Sequence, residues 1–128
     1  MSAKRVLAAD GAPKAIGPYS QGVSAGPWVF VSGQIPLEPG GTAPVAGGVA
    51  AQTERCLRSV AAILEAGGLG LEDVVKTTVY MTDLGQFAAM NEVYARHFPA
   101  PHPARATVQV SALPKGAAVE IDAVALAR

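Results

Sequence analysis

The chain has 128 residues and a mass of 13.0 kDa, the size of one domain rather than two, so residues 1–128 are expected to form a single domain. Its 10 Lys+Arg balance its 10 Asp+Glu, so there is none of the basic excess that marks a nonspecific nucleic-acid binder. One cysteine, Cys56, excludes an internal disulfide framework and a multi-cysteine zinc site. Charged residues are only 16%, against about 25% in typical domains. Half of the chain is hydrophobic, although 25 of those residues are alanine. So few charges leave apolar or small groups on the surface, which predicts an oligomer. Met1 to Pro13 offers Lys4 and Arg5 but only a short apolar run, Val6 to Ala9, too little for a signal-peptide core. No apolar window reaches membrane length, and the expectation is a cytoplasmic protein that needs no membrane.

In chain order, Gly11 to Pro18 and Pro36 to Gly48 are rich in Gly and Pro and read as loops. Between them, Ser20–Ala25 and Trp28–Gln34 read as strands, joined as a hairpin at Gly26-Pro27. Val49–Ala66 has helical spacing, with Val49, Thr53, Cys56, Val60, Ile63, Leu64 and Gly67 on one face and Gly67-Gly68 as the stop. Val74–Met81 is rich in β-branched residues and predicts a strand. Asp83, with Gln86 three residues on, suggests a capping box. A second helix follows, its stripe formed by Leu84, Phe87, Ala88, Tyr94, Ala95 and Phe98 and ended by Pro99, Pro101 and Pro103. Ala104–Ser111 alternates, with Ala104, Ala106, Val108 and Val110 facing one way and Arg105, Thr107, Gln109 and Ser111 the other. Ala117–Leu126 alternates again, placing Val119, Ile121, Ala123 and Ala125 opposite Glu120 and Asp122. The pattern predicts an α+β fold, one sheet covered on a single face by two helices. The uncovered face then needs a partner.

Arg105 on a polar strand face suits a fork for a carboxylate; the competing reading is a solvated residue or an interface ion pair. Glu120, between Val119 and Ile121, suits acid–base work if its apolar neighbours raise its pKa; the competing reading is an exposed strand residue. A plain hairpin across Ala112 to Lys115 would bring both onto one face. Asn91 interrupts the second helix's stripe and needs a partner if buried. Tyr19 and Ser32 lie beside glycines that permit close approach of a ligand, and Ser32 has no neighbouring base to make it a nucleophile. His97 and His102 read as loop or surface residues, and Cys56 as core packing.

Together, Ala15-Ile16-Gly17-Pro18-Tyr19-Ser20-Gln21-Gly22, Val29-Phe30-Val31-Ser32-Gly33-Gln34-Ile35-Pro36, Asp73-Val74-Val75-Lys76-Thr77-Thr78-Val79, Pro103-Ala104-Arg105, Leu113-Pro114-Lys115 and Val119-Glu120-Ile121 resemble the RidA/YjgF family of reactive-intermediate deaminases. The resemblance runs over nearly the whole chain. It implies a fold like that of the Bacillus-type chorismate mutase, a mixed sheet with two helices on one face, assembled as a homotrimer with clefts between subunits. It also implies that another strand separates the last two, which disfavours the plain hairpin. The implied activity is hydrolysis of enamine and imine intermediates such as 2-aminoacrylate to 2-oxo acids and ammonia. Arg105 would pair with the substrate carboxylate, and Glu120 would position water and shuttle a proton. Gly33 and Thr107 would hold polar atoms through their backbones, with Tyr19, Ser32 and Asn91 lining the cleft. No metal or organic cofactor is implied, because an imine carbon is already electrophilic. Many relatives have cysteine where this chain has Thr107. Alternatives are an endoribonuclease-like activity, which the zero net charge disfavours, or a chaperone-like or small-carboxylate-binding member without turnover.

Overall fold

The computed structural model describes residues 3–128; Met1 and Ser2, the start of the segment read as lacking a leader, lie outside them. Six strands and two helices follow in the order β1 (Lys4–Leu7), β2 (Gly22–Ala25), β3 (Trp28–Gln34), α1 (Gly48–Ala66), β4 (Val74–Met81), α2 (Phe87–His97), β5 (Ala104–Gln109) and β6 (Val119–Leu126). The strands form one sheet in the order β1-β2-β3-β6-β4-β5. All neighbours are antiparallel except β4 and β5, which run parallel because α2 carries the chain back between them. This is the expected α+β arrangement. No helix among the described residues is long and apolar enough to cross a membrane.

Most elements form where the pattern places them. The β2–β3 hairpin turns at Gly26-Pro27, with Gly26 at φ +60°, and pairs Ala25 with Trp28. Helix α1 buries Thr53, Cys56, Leu57, Ser59, Val60, Ile63 and Leu64. It stops at Gly67-Gly68, where the amides of Gly67 and Gly68 bond the carbonyls of Leu64 and Glu65. Cys56 is fully buried, its sulfur 3.6 Å from the Val119 carbonyl oxygen, as expected of core packing.

Three expectations need correction. The plain hairpin between the last two strands does not form: β4 lies between β5 and β6. Alternation reports which face a side chain takes, not which strand lies alongside. The second helix begins later than its cap signal. Asp83 accepts a bond from the Gly85 amide (2.8 Å), but a single 3₁₀ turn, Leu84–Gln86, intervenes before α2. Its buried face is Met90, Val93 and Tyr94, with Phe98 beyond, while Leu84, Phe87, Ala88 and Ala95 stay exposed. Strand β1 had no legible alternation, since Leu7 alone is buried among its four residues.

Both helices pack on one sheet face. There Cys56, Leu57, Val60, Ile63 and Leu64 meet Val29, Val31, Val79, Met81, Val119, Ile121 and Ala123. The other face is open. On it the register places Phe30 opposite Val124, Trp28 opposite Leu126, and Tyr80 between Glu120 and Val108. Trp28, Phe30 and Leu126, each at least 37% exposed, form an apolar patch of the kind that marks an interface, and Val108, also exposed, lies apart from them in the row of Tyr80 and Glu120.

The loop that leads into β2 is fastened by Gln21, a residue that pattern reading passed over. Its buried side chain accepts from the Ala9 amide (2.7 Å) and donates to the carbonyls of Ala9, Ala12 and Pro13. Alanine here would strand several partly buried backbone groups, at a cost of about 1–3 kcal/mol. Gln21→Ala is therefore expected to lower the urea midpoint with little change in slope. An unchanged midpoint would show that water replaces those bonds.

Candidate active site

Strand β5 sets Arg105 by parity. It pairs with Thr77 of β4, whose side chain points toward the helices, so Arg105 points there too. Strand β5 alternates as its sequence indicates, but the face turned to the helices is its polar one, and Ala104, Ala106 and Val108 fall on the open face. The guanidinium meets a stripe of α2 at i, i+4 and i+7 spacing. Nη1 donates to Asn91 Oδ1 (2.7 Å), and Cζ lies 4.7 Å from the Tyr94 ring centroid and 5.4 Å from that of Phe87. The interruption of the stripe at Asn91 is thus where the cation docks. Arg105, Asn91, Tyr94, Ala95, Phe98 and His102 help to line an open cavity of about 410 Å³. Thr107 shares this face, opposite Val79, and its Oγ1 is buried with no hydrogen-bond partner. A buried hydroxyl without a partner invites a ligand or a neighbouring chain to supply one.

Glu120 and Gly33 form a second group on the opposite face. Between Val31 and Gln34 the β3–β6 register shifts, so Ser32 and Gly33 sit in a bulge that re-aims the strand. A Cβ on Gly33 would collide with Glu120 Oε2 and stand 2.9 Å from Glu120 Cδ. Glycine is required there by close approach of the carboxylate. Burial holds the Glu120 carboxyl above its ordinary pKa, and the neighbouring Asp122 pushes it in the same direction. Asp122 is itself engaged, accepting from the Thr78 amide and the Tyr80 hydroxyl (2.9 Å).

Tyr19 is 52% exposed and, with Gly33, Ile16, Ile35, Leu37 and Lys115, lines a mostly apolar cavity of about 380 Å³. Ser32 Oγ donates to the Ser20 carbonyl (2.6 Å), so its hydroxyl is occupied in fastening the loop. The histidines are spoken for as well. His97 bonds Glu54 (2.7 Å) across the two helices, and His102 Nδ1 lies 2.9 Å from the Phe98 carbonyl oxygen. His97 is thus a part-buried helix-end residue rather than a free surface one. Among the described residues, no cluster of three His, Cys, Asp or Glu side chains is arranged to hold a metal.

The structure therefore gathers Arg105, Asn91 and Thr107 under α2, and Tyr19, Ser32, Gly33 and Glu120 elsewhere. It does not bring Arg105 and Glu120 together within one chain. They project from opposite faces, on strands separated by β4, whose backbones are roughly 10 Å apart. Tyr94, whose ring lies under the Arg105 guanidinium, and its hydrogen-bond partner Thr77 are not among the expected site residues; the i+3 spacing of Asn91 and Tyr94 is the available signal.

A model of the endoribonuclease L-PSP family matches residues 9–127. The chain belongs to this family, within which its RidA/YjgF resemblance falls. Protein DfrA of Myxococcus xanthus is 55% identical over 126 residues, covering 97% of this chain and 96% of its own. The human 2-iminobutanoate/2-iminopropanoate deaminase is 45% identical over 123 residues, covering 96% of this chain and 90% of its own. The crystal structure of RidA from an Antarctic Psychrobacter bacterium superimposes with a TM-score of 0.91 at 44% identity, over 95% of this chain and 98% of that one.

Proposed function

We propose that this protein hydrolyses reactive imines of 2-oxo acids, and the enamines in equilibrium with them, to the 2-oxo acid and ammonia. The observation that carries the reading is the Arg105 guanidinium, fixed by Asn91 at the wall of an open cavity. A charged fork so placed suits a carboxylate. The deaminase names of relatives such as the human protein supply the reaction class.

In this reading Glu120, ionised, takes a proton from water as its oxygen attacks the imine carbon. The C=N π pair moves to nitrogen, which takes that proton from the Glu120 carboxyl, and a neutral carbinolamine forms. Glu120, ionised again, takes the carbinolamine hydroxyl proton and passes it to the departing amine; the C–N bond breaks as the C=O bond forms, and ammonia leaves. No net proton or electron is consumed. Because Arg105 and Glu120 lie on opposite faces, the reading needs a cleft built by two copies, Arg105 from one and Glu120 from the next. The apolar open face supports association of copies, and a homotrimer is the assembly that fits the family. Sedimentation tests it, and a monomer at assay concentration would contradict it.

The raised pKa of Glu120 gives a pH prediction. The base must be ionised, so activity falls as pH drops through its pKa, which lies above the ordinary carboxylate value. The acid limb of kcat/KM should inflect above the usual Glu range and move down in Asp122→Asn. A limb at the ordinary value, unmoved in that variant, would remove Glu120 from the role.

The decisive experiment generates the imine in situ with a serine or threonine dehydratase and lets semicarbazide compete for it. Faster 2-oxo acid release by this protein supports the reading; no acceleration by the folded oligomer favours carboxylate binding without turnover. RNA cleavage with the steep salt dependence of phosphate contacts would favour the endoribonuclease alternative.

A further inference from the structure

We propose that Tyr94 is the positioning residue that aims Arg105, with Thr77 as its anchor. The proposal rests on the carboxylate role given to Arg105 above. Thr77 and Arg105 are direct partners across the β4–β5 pair. Tyr94 links them: its hydroxyl shares a 2.7 Å hydrogen bond with Thr77 Oγ1, while its ring lies beneath the Arg105 guanidinium at 4.7 Å. The ring also packs against Phe98, at a centroid distance of 4.5 Å, and Tyr94 is only 6% exposed. Thr77, Phe98 and the guanidinium together fix the position of the ring.

An arginine side chain has several rotatable bonds, and ordering it on ligand binding would cost affinity. Stacking against an immobile ring removes that freedom in advance and leaves the N–H fork to point edgewise. Asn91 fixes the remaining rotation by accepting from Nη1. Phe87, 37% exposed, lies by the same guanidinium at the outer end of the stripe. The strand pair thus sets where Arg105 starts, and Tyr94 sets where its head ends.

Carboxylate binding is shared by the ground and transition states, so loss of aim should appear in KM rather than kcat. The test uses the coupled imine assay on four variants: Tyr94→Leu, Tyr94→Phe, Thr77→Val and Arg105→Ala, with Tyr94→Leu also combined with Arg105→Ala. Tyr94→Leu is expected to raise KM about ten-fold with kcat nearly unchanged, a loss within the range of a partly desolvated cation–ring contact. Tyr94→Phe keeps the ring and should hold KM within about three-fold. Thr77→Val removes the anchor but preserves volume, and should raise KM by about three-fold. In the Arg105→Ala background, Tyr94→Leu should add no further loss, because its effect passes through the missing guanidinium.

An unchanged KM in Tyr94→Leu overturns the proposal. So does an equal loss from Tyr94→Leu with and without Arg105, which would be a merely structural role. Should Tyr94→Leu fail to fold, Thr77→Val decides by the same KM criterion. Full activity in Arg105→Ala overturns the carboxylate reading and the proposal with it. Loss in Arg105→Ala beside an unmoved Tyr94→Leu overturns the proposal alone.

Discussion

Arg105→Ala should fold, assemble and lose about 10³-fold in kcat/KM toward imine substrates, the scale of truncating one partner of a hydrogen-bonded charge pair that is out of water. The side chain is half-buried against Tyr94 and Phe87, so alanine also opens space there. Melting curves separate that effect from chemistry. A sharper form of the experiment uses the opposed faces of the sheet. Glu120→Gln should be comparably inactive, since it removes the base while keeping the shape. If the cleft draws Arg105 from one copy and Glu120 from another, mixed oligomers of the two dead variants contain some clefts with both residues intact. Unfolding and refolding the variants together should then restore a measurable share of wild-type activity, and neither variant alone should recover. Failure of the mixture to recover, with mixed oligomers demonstrated, would contradict a two-chain site.

Gly33→Ala is expected to lower activity about 10²-fold while sparing the fold. The added methyl would collide with Glu120 Oε2, the far end of a flexible side chain rather than backbone. Gly33 is absent from the positive-φ glycines, so alanine is not strained by the backbone there. The carboxylate gives way, and a displacement of about 1 Å at a catalytic group is worth about that factor. Wild-type kcat with a methyl at position 33 would mean that the bulge does not set the position of the base. Ser32→Ala, beside it in the bulge, provides the contrast, because its hydroxyl holds the Ser20 carbonyl rather than the carboxylate.

Much of the architecture follows from periodicity. The burial of Cys56, Val60, Ile63 and Leu64 on α1, and of Val119, Ile121 and Ala123 on β6, matches the spacing of apolar residues. These stretches are long, and one buried face dictates the phase. Strand β1 is too short for a phase, and β5 misled in a different way. Its apolar residues lie on the sheet's open face, and its polar residues Arg105 and Thr107 turn to the face that carries the helices. Polarity ordinarily reports solvent; here it reports a guanidinium resting on aromatic rings. The partnership of Arg105 with Asn91 crosses 14 positions and that of Gly33 with Glu120 crosses 87, as the difference of their numbers shows, so no local pattern could join them. The family resemblance named Arg105, Glu120, Gly33 and Asn91 because it carries a whole fold at once. It gave no role to Gln21 or Thr77, which stand in its matching segments, nor to Tyr94, and the work of these three is to hold other residues still.

Cys56 is the only sulfhydryl in the chain, and it is sealed in the core with its thiol pKa driven far upward by burial. Thiolates, not thiols, are captured by electrophiles and peroxides. At position 107, beside Arg105, stands a hydroxyl that neither reagent attacks readily. Electrophiles and oxidants that reach the face around Arg105 therefore find no cysteine there to alkylate or oxidise.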